Sequence, residues 1–340
     1  MHALIEVVDG GIGNSIQDRG RIGFRHMGIT VSGWIDPMLA RCANALVGND
    51  AECACIEIRG AGPTLAAREG RFRLVLTGDI TATLTKENGV SREVSPWTSF
   101  TLEPNDTLEV GYIAGGTAYL AIGGGIDTPL QLGSRSTYQR ALIGGVDGRP
   151  LTTGNKLACK SIRDPKFQEY RAEPWSHDEG PIRVVLGPQE DHFDPASVKT
   201  FVENEYKVTT QLDRMGVRLE GLALAHVSKA AADIVSDGVT PGSIQVPGNG
   251  QPIILLADAQ TVGGYPKIAT VISADLPRLG QAKPGDTIRF SAVTVHEARE
   301  ALIAREKRWR EWSAGVKFGL PDPCSMSDDI AYGWLGREEC

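Results

Sequence analysis

The run Ala257-Asp258-Ala259-Gln260-Thr261-Val262-Gly263-Gly264-Tyr265-Pro266 gathers side chains able to hold a small carbonyl compound. Asp258 can accept an amide N–H or serve as general base, Gln260 can bond an amide or a carboxylate, and Tyr265 can stack or donate a hydrogen bond. Gly263 and Gly264 let the backbone approach a ligand and offer N–H groups to a developing oxyanion. The run follows the apolar stretch Ile253–Leu256, so its polar residues emerge at a strand end. The same residues also fit a structural hairpin whose polar groups satisfy one another. A second candidate is Leu132-Gly133-Ser134-Arg135-Ser136-Thr137-Tyr138. There Arg135, flanked by Ser134 and other hydroxyls, suits a carboxylate, phosphate or carbamoyl oxygen, because guanidinium is a planar two-pronged donor. It can equally tie down a loop through backbone carbonyls. Asp213-Arg214-Met215-Gly216 and Gly187-Pro188-Gln189 are shorter and read as well structurally. Gln245, with Gly248, Asn249, Gly250 and Gln251, adds a polar patch one strand before Asp258.

Other chemistries find no support. The chain has no Gly-x-x-x-x-Gly-Lys-Ser/Thr phosphate loop, no Gly-x-Ser-x-Gly elbow and no His-Glu-x-x-His. Gly123-Gly124-Gly125 does not open a helix, so a dinucleotide site fails on context. Six histidines show no ligand spacing and six cysteines include no Cys-x-x-Cys pair, so no metal is expected. Cys53 and Cys55 fall on one face of a strand and read as buried, reduced thiols.

The elements that must position these groups are short. Forty glycines and nineteen prolines divide the 340 residues into segments rich in Val, Ile, Leu and Thr. Examples are Phe72–Leu76, Thr107–Tyr112, Ala118–Ile122, Ile182–Leu186, Pro252–Leu256 and Thr287–Phe290. Such runs between turns mark a barrel or sandwich. Helices are few. Asp36-Pro37 opens one that Gly48 ends, Asp194-Pro195 opens a second, and a third spans about Val295 to Trp312 with Leu302, Ile303 and Trp309 inward. Ile56–Gly62 resembles Ile244–Gly250, Pro104–Val110 resembles Pro284–Phe290, and Asp18-Arg19 resembles Asp213-Arg214, in one order and at a nearly constant offset. An old duplication follows. The polar, proline-rich stretch Arg163–Pro181 is the expected boundary, giving lobes at 1–165 and 180–295 and a helical tail at 296–340.

The net charge of −7 argues against nucleic acid as a partner, and the basic run Arg305, Lys307, Arg308 and Arg310 is interleaved with glutamates like a solvated helix face. No run approaches the roughly 18 apolar residues of a membrane span, and Met1–Glu6 lacks a secretion signal. A cytoplasmic protein with no membrane contact is expected.

Several segments then align as a set: Ser15–Arg21, Ser32–Asp36, Ala45–Asn49, Leu132–Thr137, Gly187–Gln189, Asp213–Gly216, Ile244–Pro252 and Ala257–Pro266. Together, over about residues 3–295, they resemble the biotin-dependent carboxyltransferase family, also called allophanate hydrolase subunit 2, which includes the C-type component of 5-oxoprolinase. The resemblance implies a mainly β chain of duplicated cyclophilin-like β-barrel lobes with a few short helices. It implies a partner of the allophanate hydrolase subunit 1 type, equivalent to the B-type component of 5-oxoprolinase, and a third lactam-opening subunit. In that assembly 5-oxoproline is hydrolysed to glutamate at the expense of ATP. Two alternatives stay open: carboxyl transfer in a urea carboxylase-like system, with biotin carried by another protein, and a non-catalytic regulatory role. Under the first reading Asp258, Gln260 and Arg135 are the catalytic candidates. Ser134, Arg214, Gln245, Gly263, Gly264 and Tyr265 are the substrate-binding ones. Val262 stands where the family commonly has threonine and Leu212 where serine is frequent, and both touch these segments.

Overall fold

The computed structural model describes residues 2–160 and 169–318. Most of the short apolar runs pair as strands, and the first lobe builds two sheets from them. One runs in the order Lys156–Lys160, His2–Asp9, Thr64–Glu69, Thr107–Val110, Ala82–Thr85 and Ser91–Val94. The other runs Ser15–Gln17, Cys55–Ile58, Ala118–Ile122, Phe72–Thr77 and Phe100–Leu102. Ile5 and Leu108 from the first and Ile56, Leu74 and Leu120 from the second share one core. Each such side chain stabilises the fold by roughly 1.5–3 kcal/mol relative to exposure.

The second lobe is a closed barrel of seven strands. Its order is Ile182–Leu186, Lys267–Val271, Ser243–Gln245, Ile253–Leu255, Gly216–Glu220, Glu205–Leu212 and Thr287–Ala292, the last returning parallel to the first. Closure leaves no sheet edge free. Val184, Phe201, Tyr206, Ile244, Ile254 and Ile268 fill it. The mainly β architecture expected from the sequence is thus present. One sequence repeat is also a structural one: Asp106 Oδ2 accepts from Glu103 N at 2.9 Å, and Asp286 Oδ2 accepts from Lys283 N at 2.8 Å. Each aspartate closes the turn that feeds the next strand.

Four helices occur among the described residues. α1 (Pro37–Val47) starts where Asp36 Oδ1 accepts from the Met38 and Leu39 amides and stops at Gly48, whose φ of 75° suits glycine. α2 (Pro195–Glu203) is capped by Asp194 in the same way. α3 (Leu276–Leu279) is a single turn. α4 (Val295–Ala314) begins with a Thr294–Glu297 capping box. No described helix is long and apolar enough to cross a membrane.

α4 folds back onto the first lobe. Arg41 of α1 donates two hydrogen bonds to Glu306, at 3.0 and 2.9 Å, and its guanidinium lies 3.8 Å from the centre of the Trp309 ring. Arg305 and Arg308 of the basic run are therefore not simply solvated. Arg305 donates to Ser273 O at 2.7 Å and Arg308 to Asp178 at 2.7 Å. Ile303 corrects the expected inward face: it is 61% exposed, because the half-buried stripe passes through Leu302, Glu306, Trp309 and Trp312.

Residues 163–168 of the expected boundary lie outside the described residues, as do Cys324, Trp334 and Cys340. The rest of that stretch is more than a surface loop. Buried Glu169 accepts from Ser99 and, at 2.9 Å, from Thr101, while Trp175 is buried edge-on to Trp312. Single anchors hold it, so no periodicity marks it in the sequence.

Candidate functional site

The first lobe meets the barrel along a continuous polar seam. Ile35, just before α1, is buried in the barrel's core. Thr30 Oγ1 and Ser32 N both donate to Ala257 O, at 2.8 and 3.1 Å, and Arg25 donates to Val239 O and, at 2.9 Å, to Gln260 O. Asp36 does more than cap a helix. Its Oδ2 accepts from Gln281 Nε2 at 2.8 Å and lies 2.7 Å from His177 Nε2. These bonds fix the loops of one lobe against the strand ends of the other.

Arg214 is the centre of the seam. It follows the strand Glu205–Leu212, and Asp213 Oδ1 turns the chain by accepting from Met215 N at 2.7 Å. Arg214 Nε and Nη2 bond Asp258 at 2.9 and 3.1 Å, Nη2 bonds Gly33 O at 2.7 Å, and Nη1 bonds Glu57. Glu57 is 1% exposed and also accepts from Tyr119 Oη at 2.8 Å and Ile35 N at 3.1 Å. Burial alone pulls the Arg214 guanidinium pKa down, but Glu57 and Asp258 outweigh it and hold the value above the ordinary one. Burial, with the Glu57 charge beside it, pushes the Tyr119 phenol up, so Tyr119 stays a donor.

A two-chambered cleft opens on this hub. One chamber, of about 560 Å³, is lined by Gln245, Gln260, Tyr265, Arg218 and Asp213. The other, of about 460 Å³, is lined by Arg59, Tyr138, Asp213, Arg214 and Asp258. Leu212, Met215 and Arg140 border both. In the first chamber Gln260 Nε2 donates to Gln245 Oε1 at 3.3 Å, and Gln245 Nε2 donates to Tyr265 O at 3.4 Å. These are long bonds, and of the two carboxamides only that of exposed Gln260 is open to a ligand, Gln245 being 2% exposed. Gly263 sits in a two-stranded ribbon with Asp237–Gly238, and a Cβ there would lie 2.3 Å from Gln245 Nε2. Its lack of a side chain makes room for that amide.

The structure therefore brings Gln245, Gln260 and Tyr265 to one chamber and Arg214 and Asp258 to the adjoining one; Gly263 lines neither but packs on Gln245, and the Gly264 carbonyl accepts from Ile234 N at 2.9 Å. It places Ser134 and Arg135 elsewhere. Ser134 is sealed from solvent, and its hydroxyl donates to Asp18 Oδ1 at 2.5 Å. Ser136 Oγ donates to the same oxygen at 2.6 Å, Gly20 N donates to it at 2.9 Å, and Arg135 N donates to Oδ2 at 2.6 Å. The Arg135 guanidinium bonds Asp127 at 2.8 Å, and the residue lines neither chamber. The loop is a cradle for a buried carboxylate. Beside it Arg21 is wholly buried and donates to Ser136 O, and burial lowers its pKa against the opposing charges of Asp18 and Asp258.

Sequence reasoning gave no role to Glu57, although the signal was there. A glutamate inside the apolar strand Cys55–Ile58 must find a cation when buried. Which cation it finds is a property of the fold.

Comparison with known proteins agrees with this architecture. The model of the carboxyltransferase domain, subdomain A and B, matches residues 27–292. The chain is 37% identical over 313 residues to the C component of the 5-oxoprolinase of Escherichia coli (strain K12), covering 91% of this chain and 97% of that protein. It is 34% identical over 296 residues to the C component of the 5-oxoprolinase of Haemophilus influenzae, covering 87% and 93%. The crystal structure of the K. lactis urea amidolyase superimposes with a TM-score of 0.81 at 29% identity, over 96% of this chain and 20% of that one. Two lobes joined at a polar seam, a barrel carrying the Asp258 loop and near end-to-end likeness to these relatives give one conclusion: the chain belongs to the carboxyltransferase domain, subdomain A and B, family.

Proposed function

We propose that the chain is the C-type component of an ATP-dependent 5-oxoprolinase and grips the lactam in the cleft between its lobes. The observation that carries this reading is the match to the Escherichia coli C component along 97% of that protein's length. The cleft chemistry supports it. Both oxygens of Asp258 face Arg214, yet each keeps a lone pair able to accept the ring N–H. Gln260 offers a carboxamide donor to the lactam carbonyl, and the Tyr265 side chain covers the ring. A cyclic amide is a poor electrophile. Donors fixed before it arrives stabilise charge on its oxygen without reorganising.

The helix N-termini of the described residues offer ATP no open phosphate site. Phosphates bind helix N-termini whose N–H groups are open. Here the starts of α1, α2 and α3 carry Asp36, Asp194 and Asp275, and Glu297 closes α4. The nucleotide step is therefore assigned to the partner proteins, of the B type and the lactam-opening type. The test is 5-oxoproline-dependent ATP hydrolysis by the reconstituted assembly, with and without this chain. No turnover with every partner present removes the reading.

The fold likeness to the urea amidolyase supports a second reading, carboxyl transfer to a urea-like amide from biotin carried on another protein. Carboxylation of urea by this chain with a biotinylated partner, and none of 5-oxoproline, would favour it.

A further inference from the structure

Arg59 is a cation with nothing to hold. It follows the strand Cys55–Ile58, is partly buried and lines the same chamber as Arg214 and Asp258. Among the described residues it makes no hydrogen bond or ion pair. The carboxylates around it are already engaged. Glu57 is taken by Arg214, Tyr119 and Ile35 N, Asp258 by Arg214, and Asp213 Oδ1 by the Met215 and Gly216 amides. Burial lowers the Arg59 pKa, and the nearby Glu57 charge only partly offsets it. Guanidinium has five N–H donors and no acceptor, and withdrawing it from water without a partner is costly. Arg140, also without a bond among the described residues, stands exposed on the same chamber wall. An arginine pair of this kind suits a planar or tetrahedral oxyanion.

We propose that Arg59, with Arg140 at the chamber's edge, forms an oxyanion subsite for a carboxylate or phosphoryl group on the molecule whose amide is held by Asp258 and Gln260. The carboxylate source rests on the lactam reading above, since 5-oxoproline is a lactam acid. The phosphoryl source does not. In the lactam case one chamber reads the amide and the other reads the acid, so neutral lactams are poorly held.

The test uses the full-length chain, as wild type, Arg59→Gln and Arg59→Lys, titrated calorimetrically with 5-oxoproline, 2-pyrrolidinone and inorganic phosphate. Arg59→Gln removes a side chain that makes no hydrogen bond or ion pair among the described residues, so the variant is expected to fold, and Arg59→Lys keeps the charge as a second variant. The expected result is a loss of about tenfold or more in 5-oxoproline affinity for Arg59→Gln, a smaller loss for Arg59→Lys and no change for 2-pyrrolidinone. Phosphate binding that depends on Arg59, with no lactam bound by the wild type, keeps the subsite with a phosphoryl source and removes the lactam reading. Equal 5-oxoproline and phosphate affinities in wild type and Arg59→Gln overturn the subsite and leave the lactam reading intact. A wild type that binds neither anion overturns the subsite as well.

Discussion

Arg214 and Asp258, 44 residues apart in the chain, are joined by two hydrogen bonds of 2.9 and 3.1 Å at the mouth of the inter-lobe cleft. The same guanidinium neutralises Glu57 from the other lobe, so the pair is at once a site and a joint.

Removing Arg214 is expected to cost both functions. Arg214→Met leaves Glu57 buried without its cation, a loss of about 3–5 kcal/mol in stability. Arg214→Lys keeps charge but not the fork, and is expected to fall between. Urea denaturation of the isolated chain measures this. Asp258→Asn is the milder probe. It should fold, and it should lower turnover of the reconstituted assembly by about 10²-fold or more if Asp258 handles a proton.

Gly263→Ala is expected to act on the ligand and not on the fold. The new methyl displaces the Gln245 carboxamide, which is the end of a flexible side chain. KM for the amide substrate should rise several-fold, with the thermal midpoint shifted little. Steady-state kinetics of the assembly separate the two effects.

The Asp18 cradle is expected to be structural. Asp18→Ala strands the hydroxyls of Ser134 and Ser136 and two amides, with a loss of about 1–3 kcal/mol for each buried group left unpaired. Arg135→Ala, whose guanidinium meets only partly exposed Asp127, is expected to alter stability and turnover little. A large loss of turnover without unfolding in Arg135→Ala would return that residue to the active centre.

Docking of α4 is expected to fail in acid. Burial raises the Glu306 carboxyl, but Arg41 and Arg305 outweigh it and hold it below the usual range, and Arg308 and Arg183 do the same for Asp178. A carboxyl depressed in the folded state stabilises it above the unfolded pKa, and that contribution disappears as pH falls through the folded value. The helix should therefore be held at neutral pH and loosen below about pH 4. Fluorescence of Trp309 and Trp312 reports it, and Glu306→Gln should weaken the docking at neutral pH and flatten its acid dependence.

Much of the fold was legible because local rules set it. Asp36-Pro37 and Gly48 bound α1, and apolar runs between glycines became strands. Part of the candidate cleft was legible for the same reason, since Asp258 and Gln260 follow the end of the apolar strand Ile253–Leu255. What could not be read was partnership at long range. Arg214 was a substrate-binding candidate, but its bond to Glu57, 157 residues away, had no local signal. Arg135 looked reactive because hydroxyls beside an arginine have the same appearance whether they cradle a ligand or an internal aspartate. Ile303 misled because one residue's step along a helix turns a side chain by about 100°.

Ile35 packed with the barrel's core residues makes each half depend on the other. A gene cut between the halves would give one product with an open socket and another with a bare greasy peg, and neither is expected to fold unaided.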